Sequence, residues 1–120
     1  LLLIDDDAFL RDMYAIKFTE CGYEVDTADG AAAGLRKIER NQEYDVILLD
    51  MVMPGMSGLD LMKAVNNEFP KLGAKFIVLS NQGQAEDIKS ATAAGAVGYI
   101  IKAEAIPSDV VKKVEKLVKK

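Results

Sequence analysis

Four polar positions in this chain each end a short apolar run, and together their side chains could handle a divalent cation and a phosphoryl group. Leu1-Leu2-Leu3-Ile4 leads into Asp5-Asp6-Asp7, and Val46-Ile47-Leu48-Leu49 into Asp50. Phe76-Ile77-Val78-Leu79 leads into Ser80, and Tyr99-Ile100-Ile101 into Lys102. If the runs are parallel strands of one sheet, their carboxyl ends converge on one edge. In open α/β sheets ligands bind at that edge, where strand order reverses. At ~4 Å and an effective dielectric near 20, each pair of like charges costs roughly 4 kcal/mol, so carboxylates gathered there take up protons or a cation. Hard oxygen donors favour Mg²⁺ over Zn²⁺. A carboxylate such as Asp50 can also act as a nucleophile towards phosphorus. Mg²⁺ and Lys102 would neutralise charge on a transferring phosphoryl group, and Ser80 could donate a hydrogen bond to it. A purely structural reading, in which Asp5 to Asp7 only cap a helix, suits Asp7 and leaves the other two unexplained.

The elements that must position these residues follow from the spacing. The apolar runs are short and continuous, as in strands buried on both faces of a parallel sheet. Between them lie helical patterns. Phe9, Met13, Ile16 and residues 17–20 fit a first helix, opened by Asp7 and stopped at Gly22. Tyr23-Glu24-Val25-Asp26-Thr27 alternates and predicts an edge strand. Residues 31–40 predict a second helix, with Leu35 and Ile38 at helical spacing. A third follows Ser57, buries Leu59, Leu61, Met62 and Val65, and ends at Pro70. Residues 85–94 predict a fourth, closed by Gly95. Pro107-Ser108-Asp109 opens a fifth with the stripe Val110, Val111, Val114, Leu117 and Val118. Lys112, Lys113, Lys116, Lys119 and Lys120 lie off that stripe, and the last of them suit the helix's negative end. Five β-α units in strict alternation predict an α/β fold with a parallel sheet and right-handed crossovers.

The bulk properties narrow the function. The 120 residues predict one domain, 1–120, with enough core to need neither disulfide nor structural metal. Net charge is 15 − 19 = −4, which argues against direct nucleic-acid binding. The single cysteine, Cys21, fits a reduced, cytoplasmic compartment and reads as structural. No apolar stretch approaches a membrane span, and no cationic region precedes the first run as in a signal peptide. The chain has no histidine, which excludes Ser-His-Asp and Cys-His catalysis, histidine metal sites and a phosphohistidine carrier.

With these residues in place, the chain resembles the receiver domains of two-component response regulators over essentially its whole length. The segments that carry the likeness are 1–7 (Leu-Leu-Leu-Ile-Asp-Asp-Asp), 45–59 (Asp-Val-Ile-Leu-Leu-Asp-Met-Val-Met-Pro-Gly-Met-Ser-Gly-Leu) and 94–102 (Ala-Gly-Ala-Val-Gly-Tyr-Ile-Ile-Lys). The resemblance implies a doubly wound, flavodoxin-like (βα)5 fold of strand order 2-1-3-4-5. It implies Asp50 as phosphoacceptor, and Asp5, Asp6, Asp50 and the backbone carbonyl of Val52 as Mg²⁺ ligands. Lys102 and Ser80 would assist catalysis, with Ser80 and Tyr99 as the switch pair. The implied partners are a histidine kinase or phosphotransfer protein as donor, and an output domain or protein at the helix 4–strand 5–helix 5 face. Homodimerisation is a further outcome the family allows.

Three departures from the family's usual pattern stand out. Ala103 follows Lys102 where the family usually has proline after a cis bond. Asn81 follows Ser80 where a small residue is usual. Val52 and Gln82 occupy positions that influence dephosphorylation, and Val52 has no polar group to guide water, so slow autodephosphorylation is expected. Two rivals stand beside this reading. One is a degenerate receiver used as a phosphorylation-independent interaction module; the complete set Asp5, Asp6, Asp50, Ser80 and Lys102 argues against it. The other is a Mg²⁺-dependent phosphatase or phosphotransferase with an aspartyl nucleophile. Such enzymes commonly carry Asp-x-Asp, and Asp50-Met51-Val52 lacks the second acid. Gly-rich nucleotide-binding loops are absent from the sequence.

Overall fold

The computed structural model describes residues 1–81 and 83–118. Its elements are β1 (Leu2–Ile4), α1 (Ala8–Glu20), β2 (Asp26–Ala28), α2 (Ala31–Arg40), β3 (Val46–Leu49), α3 (Gly58–Glu68), β4 (Lys75–Ser80), α4 (Ala85–Ala93), β5 (Ala96–Ile101) and α5 (Pro107–Val118). A single turn of 3₁₀ helix, Lys102–Glu104, joins β5 to the segment before α5. All strand pairs are parallel and the sheet order is β2-β1-β3-β4-β5. Strand order therefore reverses between β1 and β3, where the sequence places Asp5 beside Asp50.

Successive side chains of a strand point to opposite faces, and the core divides accordingly. Leu2, Ile4, Ile47, Leu49, Phe76 and Val78 pack with Ile38 of α2, Leu61, Met62 and Val65 of α3, and Ala91 of α4. Leu3, Val46, Leu48, Ile77, Leu79 and Ile100 pack with Tyr14 and Phe18 of α1 and Val110, Val111 and Val114 of α5. Each fully buried Leu, Ile or Val contributes roughly 1.5–3 kcal/mol of transfer free energy, so the apolar runs hold the sheet between its two helical layers.

Local signals work largely as expected. The Asp7 carboxylate accepts from the Leu10 N–H at 3.1 Å and caps α1. The Ser57 hydroxyl accepts from the Asp60 N–H at 3.1 Å and caps α3. Val110, Val111 and Val114 are buried and Leu117 and Val118 half-buried, as their stripe requires. α4 ends at Ala93, one residue early, with Ala94 in the capping position.

One expectation needs correction. The edge strand is Asp26–Ala28, where the alternation suggested residues 23–27. Gly22, at φ 96°, turns the chain back, and Tyr23 then packs edge-on against Phe18 with ring centroids 5.3 Å apart. Residues 23–25 thus close α1 before pairing with β1 begins. On α1, the buried residues are Tyr14 and Phe18, whereas Phe9 and Ile16 are exposed. Cys21 is exposed at the helix end. Gln82, Lys119 and Lys120, singled out from the sequence, lie outside the described residues.

Candidate functional site: an acidic pocket closed by a lysine

Asp5 and Asp50 each extend the sheet one step beyond their strands. The Asp5 N–H donates to the Ala28 carbonyl at 3.1 Å, and the Asp50 N–H to the Ile4 carbonyl at 3.2 Å. This registration puts both carboxylates at the strand-order reversal. Both are buried, while Asp6 is exposed. One carboxylate oxygen from each of Asp5, Asp6 and Asp50 lies within 4.8 Å of the others. Three hard oxygen donors at that spacing suit a divalent cation of the Mg²⁺ type.

Every oxygen of the two buried carboxylates is engaged. Asp5 Oδ1 accepts from the Asp7 N–H at 3.0 Å, and Asp50 Oδ1 from the Val52 N–H at 3.1 Å. Their Oδ2 atoms share one cation: Lys102 Nζ lies 2.7 Å from Asp5 Oδ2 and 2.9 Å from Asp50 Oδ2. The lysine side chain is only 5% exposed. Burial works against its charge, but hydrogen bonds and charge from Asp5 and Asp50 outweigh it and hold the ammonium above its ordinary value. The pocket therefore stores its negative charge against an internal counter-ion.

The loops complete the frame. Arg11 Nη1 donates to the Asp5 backbone carbonyl at 2.9 Å, tying α1 to the end of β1. Gly58 opens α3 pressed against the Asp50 carbonyl, and its N–H donates to the Met51 carbonyl at 3.0 Å. Met51 and Met53 turn into the core, while Val52 between them is 53% exposed. Gly55 takes φ 83° in the same loop. The peptide between Lys102 and Ala103 is trans, and the chain turns there through the 3₁₀ segment.

Ser80 ends β4 beside this cluster and is buried. Tyr99 pairs with Val78 in the β4–β5 register. Its phenol is pushed above the ordinary value by burial, drawn down by a hydrogen bond with Ser80, and pushed up again by the charges of Asp87 and Asp50. The two hydroxyls are therefore linked, and the link lies within electrostatic reach of Asp50. Asn81, next to Ser80, is exposed.

The structure thus brings Asp5, Asp6, Asp50, Ser80, Tyr99 and Lys102 to one edge, with Val52 at its mouth. The sequence reading missed two neighbours, Arg11 and Tyr14. Asp7, Arg11 and Tyr14 lie at i, i+4 and i+7, one face of α1, and that spacing from the Asp run was the available signal.

A family model described as "Response regulator receiver domain" matches residues 1–115. The chain is 38% identical over 104 residues to chemotaxis protein CheY of Thermotoga maritima, covering 85% of this chain and 83% of that protein. It is 36% identical over 110 residues to chemotaxis protein CheY of Halobacterium salinarum, covering 90% and 88%. Among solved structures it resembles a CheY-like response regulator receiver domain protein from Methanospirillum hungatei, with a TM-score of 0.88 and 30% identity over 98% of this chain and 91% of that one.

Proposed function

The chain belongs to the response regulator receiver domain family, and we propose that residues 1–120 act as one phosphoacceptor domain in which Asp50 is the phosphorylated residue. The observation that carries this reading is the Asp50 carboxylate, bridged to Asp5 by Lys102 Nζ and grouped with Asp6 within 4.8 Å. The donor is a histidine kinase, a phosphotransfer protein or a small acyl phosphate, and the compartment is cytoplasmic. No described helix is long and apolar enough to cross a membrane.

An Asp50 carboxylate oxygen attacks phosphorus. The new O–P bond forms as the donor's P–N bond, or P–O bond for an acyl phosphate, breaks, and the electron pair leaves with the imidazole or carboxylate. Asp5, Asp6, Asp50 and the Val52 carbonyl would hold Mg²⁺, which when bound supplies positive charge to the transferring oxygens. Lys102 is already in place to neutralise the acyl phosphate. Asp7 and Arg11 fix the loop that carries Asp5 and Asp6, so little reorganisation is needed on the β1 side.

Phosphorylation adds about −1.5 to −2 charge and strong acceptor oxygens at Asp50. The Ser80 hydroxyl turns towards them and releases Tyr99, whose ring moves inward. The face formed by α4, β5 and α5 changes with it and presents the output surface. The shift extends only as far as the phosphoryl group interacts differently with the two states.

Incubation with Mg²⁺ and acetyl phosphate, followed by intact-mass measurement, tests the reading. A mass increase lost in Asp50→Asn is expected. No increase together with no Mg²⁺ binding would favour a phosphorylation-independent interaction module, and many turnovers of phosphate release from assorted monoesters would favour a phosphatase.

A further inference from the structure

Tyr14 is a buried tyrosine beside the lysine that the mechanism uses. It is 2% exposed and packs in the core between α1 and α5. Leu10, Met13 and Tyr14 face Lys102 and the 103–107 segment across a groove of about 580 Å³. Asn81, Glu104 and Asp109 also border this groove, and all three are exposed, whereas Tyr14 is buried. Of the α1 residues on this groove, Leu10, Met13 and Tyr14, only Tyr14 carries a hydroxyl. Burial pushes that phenol above its ordinary value, Lys102 draws it down and Asp5 pushes it up, so both members of the ion pair are within electrostatic reach.

Lys102 gives hydrogen bonds to Asp5 Oδ2 and Asp50 Oδ2. Those two oxygens belong to the carboxylates that would ligate a divalent cation, whose ligands must come within about 2.0–2.1 Å for Mg²⁺. A divalent cation on these carboxylates repels the ammonium and competes with it for their lone pairs. A cation leaving carboxylates for an apolar wall is costly unless another acceptor meets it. A phenol oxygen is such an acceptor.

We propose that Tyr14 is a positioning residue for Lys102, its phenol oxygen receiving the ammonium, directly or through one water, when a divalent cation takes the carboxylates. This rests on the reading of the acidic pocket as a Mg²⁺ site. The phenol stabilises the state in which the lysine has stepped back but remains charged and close to Asp50. Tyr14 therefore lowers the Mg²⁺ concentration needed to load the pocket, and touches neither the metal nor the phosphoryl group.

The experiment is calorimetric titration of Mg²⁺ into wild type, Tyr14→Phe, Lys102→Ala and the double variant, without any phosphodonor. Tyr14→Phe is expected to weaken Mg²⁺ binding roughly fivefold to tenfold, and to have no effect in the Lys102→Ala background. In the unmutated protein, nuclear Overhauser contacts between the Lys102 ε-methylene and the Tyr14 ring should strengthen as Mg²⁺ is added. Equal affinities for wild type and Tyr14→Phe, an equal loss with and without Lys102, or contacts that do not change would overturn the proposal and leave the Mg²⁺ site standing. Absence of Mg²⁺ binding by the wild type would overturn both.

Discussion

Gly58 lies so close to Asp50 that a Cβ at position 58 would collide with the Asp50 carbonyl oxygen and lie 3.0 Å from the Met51 Cα. Both obstacles are backbone, so neither can rotate away. Gly58→Ala must displace the start of α3 or the end of β3, and Asp50 moves with them. We expect a loss of about 3 kcal/mol or more in urea unfolding, with weaker Mg²⁺ binding. Gly34→Ala is the control. Its Cβ would meet Ile4 Cδ1 at 2.5 Å, the end of a side chain. The repacking cost is partly offset by about 1 kcal/mol of helix propensity, so stability should stay within about 1 kcal/mol of wild type.

Removing the ammonium leaves two buried carboxylates facing each other. Lys102→Ala should lower stability at neutral pH by roughly 1–3 kcal/mol. The sign with pH follows from the raised lysine value. The pairing's contribution is fully present below the ordinary 10.5 and is lost as pH rises through the higher folded value. The deficit of Lys102→Ala relative to wild type should accordingly shrink in strong alkali. Denaturant midpoints measured from neutral pH into alkali for the two proteins check it.

Away from the pocket, the Tyr44 hydroxyl donates to Asp26 Oδ2 at 2.6 Å, fastening the loop before β3 to edge strand β2. Burial and this bond raise the phenol from 10.0 to about 12. The folded state thus holds the proton more tightly than the unfolded one. Its stabilisation is present below pH 10.0 and falls away as pH rises towards about 12. Tyr44→Phe should cost about 1 kcal/mol at neutral pH and flatten the alkaline fall in Tm.

Val52 stands at the mouth of the pocket, 53% exposed, with its N–H held by Asp50 Oδ1. An apolar side chain there gives an attacking water nothing to hold. Val52→Asn should shorten the lifetime of the phosphorylated form several-fold, since positioning of a reacting group by about 1 Å can change a rate by ~10²-fold. Phosphate release after removal of the donor measures it. A lifetime no shorter than that of the unmutated protein would sink this account of slow dephosphorylation.

The strand ends were legible because an apolar run followed by a polar residue records burial directly. Asp5, Asp50, Ser80 and Lys102 needed only the parallel sheet to bring them together. Asp7 and Ser57 were legible as caps because capping depends on short-range geometry. Phe9, Met13 and Ile16 marked the helix by their spacing, but spacing does not say which face meets the sheet; Tyr14 and Phe18 hold that face. The β2 boundary depended on a Tyr23–Phe18 contact that alternation does not encode. Two site features, Lys102 bridging both carboxylates and Arg11 gripping the Asp5 carbonyl, were beyond the sequence because they are questions of ångströms between elements.

The bond from Lys102 to Asp5 joins residues 97 positions apart, the first strand to the end of the last. During synthesis the acidic residues leave the ribosome long before their counter-ion does. A nascent chain, or one cut short before β5, carries the carboxylates without the lysine that holds them together. Closure of the pocket therefore depends on a contact of large sequence separation, the kind that raises contact order and slows folding. A chain lacking β5 would also lack the lysine that, in the proposed mechanism, neutralises the phosphoryl group.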